Sequence, residues 1–140
     1  MNEKTTLLNP ALSALVARCG HFDEITICDA GLPIPANAER IDMALSPGVP
    51  DLLSCIDAIL SELQLQSVTL AQEIIDINPQ VHQQILERIA QEQKLCGRHI
   101  NIIYISHDAF KLQSHNSRAI VRSGECSPYA NVIFSCGVPF

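Results

Sequence analysis

Short apolar runs, each the length of a strand, alternate along this chain with amphipathic segments of helical period, and that alternation restricts the fold more than any single motif. Strands are predicted at Ile25–Cys28, Ile41–Leu45, Val68–Ala71, Ile100–Ile105, Ala119–Arg122 and Asn131–Phe134. The first helix has the plainest signals. Asn9 is a good N-cap, Pro10 suits the first helical position, and Leu12, Leu15, Val16 and Cys19 follow at i, i+3, i+4 and i+7. Gly20 is expected to end it in the left-handed conformation, which would leave His21 just beyond a helix C-terminus. A second helix is expected from about Pro50 to Leu63 and a third behind Asn78-Pro79, where Val81, Ile85, Leu86 and Ile89 recur with helical period. A short fourth, capped by Asp108, should reach about Gln113. Strand and helix in alternation indicate an α/β domain, with the last two strands antiparallel. No repeat, linker or low-complexity tract divides the chain, so residues 1–140 are expected to form a single domain.

Composition narrows the chemistry. Hydrophobic residues make up 47% of the chain with no tryptophan, so the core must be aliphatic. The net charge of −6 and the lack of any basic run argue against nucleic acid and against an anionic membrane surface. Met1–Leu8 does not read as a signal peptide, and no apolar run is long enough to span a bilayer. The six cysteines have long, irregular spacings without a C-x-x-C pair and fall mostly in apolar patterns, so a reduced cytoplasmic protein is expected. The same spacings give little support to zinc, and the eight-residue interval of His99, His107 and His115 matches no ligand motif. Glycine-rich dinucleotide, P-loop and nucleophile-elbow motifs are absent from the sequence.

Polar residues at the carboxyl ends of strands are then the best site candidates, because open α/β sheets bind ligands there. Asp29 and His107 fall at such ends, and His21 lies in the connection leading into the first strand. A helix C-terminus favours a cationic imidazole, which would suit His21 as a proton donor; it would equally suit a solvent-facing cap. An ionised Asp29 can accept several sugar hydroxyls, or can simply start a turn before Ala30-Gly31. His107 reads either as a ligand contact or as a loop residue ahead of Asp108. Tyr129 and Asn131, two residues apart, face the same way if the segment is extended, or pack at a sheet edge and close a turn. Lys111 and Arg122 are further hydroxyl partners or solvated cations, and His82 reads as a surface residue.

Several long stretches carry a resemblance. GHFDEITICDAGLPIP (Gly20–Pro35), RIDMALSPGVP (Arg40–Pro50), Ser106-His107 and IVRSGECSPYANVIFSCGVPF (Ile120–Phe140) occur in the order found in the ribose mutarotases, or D-ribose pyranases. The chain resembles that family over essentially its whole length. Its sisters, the fucose mutarotases, lack the Gly-Leu-Pro-Ile-Pro loop present at Gly31–Pro35. The resemblance implies a three-layer α/β/α sandwich with a mostly parallel, mixed sheet, and an isomerase that needs no cofactor and no metal. It implies His21 as catalytic proton donor and Asp29, His107, Tyr129, Ala130 and Asn131 as binding residues for D-ribose, with Lys111 as an accessory. It further implies a homodecamer of two stacked pentameric rings with sites at subunit boundaries. The rival readings are a ribose-binding accessory protein without turnover, a mutarotase for a related sugar such as fucose, and a metal-dependent sugar isomerase.

Overall fold

The computed structural model describes residues 7–140. The expectation that Met1–Leu8 carries no signal peptide therefore lies largely outside the described residues. In chain order the elements are α1 (Pro10–Arg18), β1 (Glu24–Cys28), β2 (Arg40–Asp42), α2 (Leu52–Leu60), β3 (Leu65–Ala71), α3 (Ile74–Ile77), α4 (Pro79–Cys96), β4 (Asn101–Ile105), α5 (His107–Ser114), β5 (Ala119–Arg122) and β6 (Val132–Cys136). The strands form one six-stranded sheet in the order β2-β5-β1-β6-β3-β4.

Strand direction is what positions the site. β1 pairs in parallel with β5, β5 with β2, and β3 with β4, whereas β6 runs antiparallel to both neighbours, β1 and β3. All five strands other than β6 therefore end at one edge of the sheet, and β6 begins there. The last two strands do run in opposite directions, as expected, but β1 lies between them and only β6 is reversed.

Alternation of side chains along the strands divides the core into two layers. Ile25, Ile27, Val68, Leu70, Ala119, Val121, Val132 and Phe134 pack with Leu12 and Leu15 of α1, Leu52, Ile56 and Ile59 of α2 and Val81, Ile85 and Ile89 of α4. The residues between them, Cys28, Ala71, Ile120 and Ile133, face the other way and pack with Phe110 of α5 and Leu32. The second layer is thin, with one short helix and the segment around Leu32 covering it. Central strands are buried on both faces, and at about 1.5–3 kcal/mol for each fully buried aliphatic side chain their burial dominates the stabilisation.

Several sequence expectations shift by a few residues for identifiable reasons. Asn9 caps α1 as predicted, accepting from the Leu12 N–H at 3.0 Å. Gly20 does not take the left-handed position. α1 ends at Arg18 with Cys19 extended, the Gly20 N–H donates to the Asp23 carboxylate at 2.8 Å, and the residue with positive φ is Phe22 at +69°. α2 starts after Pro50, because Asp51 is its cap and accepts from the Ser54 N–H. α5 is capped by Ser106 rather than Asp108, so His107 is its first residue. β2 is shorter than Ile41–Leu45, since the chain turns at Ser46–Val49. β4, the most apolar strand of the sequence, lies at the sheet edge with Ile102, Ile103 and Tyr104 exposed. The four-residue helix α3 has no signal of its own in the sequence.

Candidate functional site

A cleft of about 560 Å³ opens at the edge where the parallel strands end, a volume in the ~300–1,000 Å³ range of small-molecule sites. Asp29–Pro33 after β1, His107 after β4 and Glu125–Tyr129 before β6 line it. Reversal of β6 brings the third group to the same edge as the other two.

Each side chain has a local reason for its position. Asp29 does start a turn, its Oδ1 accepting from the Gly31 N–H at 3.0 Å. Its own N–H donates to Asn131 Oδ1 at 2.8 Å, so the end of β1 is strapped to the entry of β6. Burial pushes the Asp29 carboxyl above the usual aspartate range. The Gly31 and Leu32 N–H groups and the nearby His107 oppose that shift without cancelling it.

His107 is fixed through its backbone. Its N–H donates to both carboxylate oxygens of Glu73, at 3.0 and 3.1 Å. Its ring meets the Tyr129 ring edge to face, with centroids 4.9 Å apart. His107 Nδ1 and Asn131 Nδ2 are buried and complete no hydrogen bond. Two orphaned polar atoms beside one cleft are costly unless something polar joins them there. Ala130 and Asn131 are themselves fully buried and seat the start of β6.

Tyr129 has φ of +56°, a left-handed conformation that is uncommon for a residue with a Cβ. Backbone strain of this sort gathers at ligand sites. Gly124, earlier in the same loop, has no room for a side chain, since a Cβ would lie 2.6 Å from the Val49 carbonyl oxygen.

Asp29, His107 and Tyr129 are thus brought together with Asn131 beneath them, while His21 is not. His21 precedes β1, and β1 alone spans about 13 Å at ~3.3 Å per residue, so His21 lies at the opposite edge of the sheet. It is exposed and stacks on Phe22 with ring centroids 3.8 Å apart. It stands three residues beyond the end of α1, further from that helix terminus than the sequence suggested. Lys111, one turn into α5, pairs with Asp108 at 3.4 Å and does not line the cleft. Arg122 holds Asp42 at 3.1 Å and the Ala30 carbonyl at 3.1 Å, so it braces the wall of the cleft. His82 bonds the Tyr104 hydroxyl at 2.6 Å, away from the cleft. Glu73, Asn78, Glu125 and Ser127 support the site; none was singled out from the sequence as a site residue, Asn78 being read only as a helix start. Among the described residues no group of three His, Cys, Asp or Glu side chains gathers as a metal site, and no helix is long and apolar enough to cross a membrane.

Comparison with known proteins gives the family and agrees with the fold. Residues 2–139 match the RbsD / FucU transport protein family. The D-ribose pyranase of Psychromonas ingrahamii is 56% identical over 138 residues, covering 99% of both chains. That of Vibrio cholerae is also 56% identical with the same coverage. Among solved structures, Bacillus subtilis RbsD complexed with D-ribose superposes with a TM-score of 0.88 at 34% identity over 100% of each chain. The fucose mutarotase of Streptococcus pneumoniae in complex with L-fucose gives 0.78 at 26% identity over 99% of each.

Proposed function

We propose that this chain, which belongs to the RbsD / FucU family, interconverts the pyranose and furanose rings and the anomers of free D-ribose. It is an isomerase: the ring opens to the aldehyde and recloses through another hydroxyl or on the other face. The family match, the ribose pyranase relatives and the likeness to a ribose-bound structure support the substrate. The observation that carries the site is that Asp29, His107 and Tyr129 line one cleft, with two orphaned atoms at its wall, His107 Nδ1 and the Nδ2 of Asn131, which is bonded behind Asp29. Sugar hydroxyls can donate to one partner and accept from another, so a bound ring would satisfy both.

Opening the ring requires one group to protonate the ring oxygen and another to take the anomeric hydroxyl proton. Each such partner contributes about 10²–10⁴-fold. We assign the donor role to His21 and the binding roles to Asp29, His107, Tyr129, Ala130 and Asn131, with Lys111 as an accessory. We assign the anomeric proton to His107, an assignment its unpartnered Nδ1 supports.

Because His21 stands at the far edge of its own sheet, it can act only in the cleft of another copy. The exposure of the His21-Phe22 pair is consistent with that. We therefore read the working form as an assembly with sites at subunit boundaries. The resemblance to the ribose mutarotases implies a decamer of two stacked five-membered rings, and the cysteine pattern a cytoplasmic protein. Residues 1–140 then form one mutarotase domain.

Saturation-transfer NMR on ribose tests the activity. Exchange between pyranose and furanose signals should accelerate when the protein is added. Ribose binding by calorimetry with exchange no faster than in buffer would instead indicate a binding accessory.

A further inference from the structure

Asn78 occupies the position that should cap α4, directly before Pro79, yet its side chain caps nothing. Its Nδ2 reaches across the fold instead, donating to Ser127 Oγ at 3.0 Å and to the Pro128 carbonyl at 2.8 Å. The residue is buried, with 8% of its surface exposed. Pro128 immediately precedes Tyr129, whose left-handed backbone must be held against its own preference.

The rest of the loop is tied from the same side. Ser127 Oγ accepts from Asn78 and donates to Glu125 Oε2 at 2.6 Å. Glu125 Oε1 accepts from the N–H of Leu52 at 3.1 Å, at the start of α2. Beyond the tyrosine, the Asn131 N–H donates to the Tyr129 carbonyl at 3.0 Å.

Residue chemistry separates this tether from a cap. Aspartate caps helices as well as asparagine and suits the positive end of the helix dipole better. Aspartate has no donor, however, and would set a carboxylate against the Pro128 carbonyl. An asparagine here matches the loop's need for donors rather than the helix's need for an acceptor.

We propose that Asn78 is a positioning residue for the sugar site, fastening Ser127-Pro128 so that Tyr129 is presented edge-on to His107. The inference rests on the reading of Tyr129 as a ribose-binding residue. It is tested by calorimetric titration of D-ribose into wild type, Asn78→Asp, Tyr129→Ala and the double variant. Asn78→Asp should weaken ribose about tenfold or more, the scale expected when a buried hydrogen-bonded pair is broken. In the Tyr129→Ala background the same substitution should add less than about twofold, because the residue it acts through is gone. Wild-type affinity in Asn78→Asp beside weakened Tyr129→Ala would overturn the inference and leave the site reading intact. Fully additive losses would also overturn it, showing a general structural role. Wild-type affinity in Tyr129→Ala would overturn the site reading and the inference with it. Should Asn78→Asp fail to fold, Asn78→Ala removes both donated bonds without adding a carboxylate. It enters the same cycle with the same expected and overturning results.

Discussion

The N–H of Asp29 donates to the side-chain oxygen of Asn131 at 2.8 Å, across 102 residues of sequence. One short bond thereby joins the carboxyl end of β1 to the entry of the reversed strand β6. It also fixes which way the Asn131 amide turns, leaving its Nδ2 buried without a hydrogen bond beneath Asp29.

Asn131→Ala should therefore do two things. Removing a fully buried acceptor from the Asp29 N–H should cost about 1–3 kcal/mol of stability, and ribose affinity should fall with the lost donor. Thermal unfolding and calorimetry on one variant measure both. A variant that melts and binds like wild type would mean the strap is incidental.

Asp29 gives a pH dependence of unusual sign. Burial raises its folded pKa, so the folded state holds that proton more tightly than the unfolded state does. The resulting stabilisation is complete below the ordinary aspartate pKa and is lost as pH rises through the raised folded value. At neutral pH the ionised Asp29 thus costs stability. Asp29→Asn should raise the melting temperature at about pH 7 relative to wild type, with a smaller effect at about pH 4. Ribose affinity in the wild type should begin to fall on acidification at a higher pH than an ordinary carboxylate would give. Equal effects of Asp29→Asn at both pH values would show that its carboxyl is not perturbed.

The thiols offer a chemical footprint of the cleft. Burial pushes Cys28 and Cys136 up to about 12 and Cys55 up to about 11, so few of them are thiolates near neutrality. Cys126 is exposed and lines the cleft. Iodoacetamide should modify Cys126 first, and saturating D-ribose should slow that reaction at least severalfold. Peptide mass spectrometry after timed alkylation reads the outcome, and identical rates with and without ribose would remove the sugar from this cleft.

The contrast between these residues shows what was legible in the sequence. Asn9-Pro10 declared α1 because a cap and a fixed φ act locally. Asp29 and His107 were found because parallel strands all end at one edge. Tyr129 and Asn131 reach that edge because β6 runs backwards; opposed last strands were expected, but the place of β6 between β1 and β3 was not legible in its residues. Gly20 misled because a local bond from its N–H to the Asp23 carboxylate and a tertiary bond from the Phe22 N–H to the Cys136 carbonyl decide the backbone there. Asn78-Pro79 looked like a helix start, and was one, but that signal concealed the use of the amide. The separation of His21 from its proposed partners belongs to the topology alone, so proximity to Asp29 in sequence was misleading.

That separation makes the central claim directly measurable. If each working site takes His21 from one copy and Asp29, His107, Tyr129 and Asn131 from another, His21→Ala and Asp29→Ala chains should each be nearly inactive alone. Unfolded together and refolded as a mixture, equal amounts should regain about one quarter of wild-type exchange, since random assortment restores that share of the boundaries. Ribose ring exchange by saturation-transfer NMR on the refolded mixture is the measurement. Recovery near that level would establish a site shared between copies. A mixture no more active than the sum of its two parents, at an oligomeric state matching wild type, would contradict it.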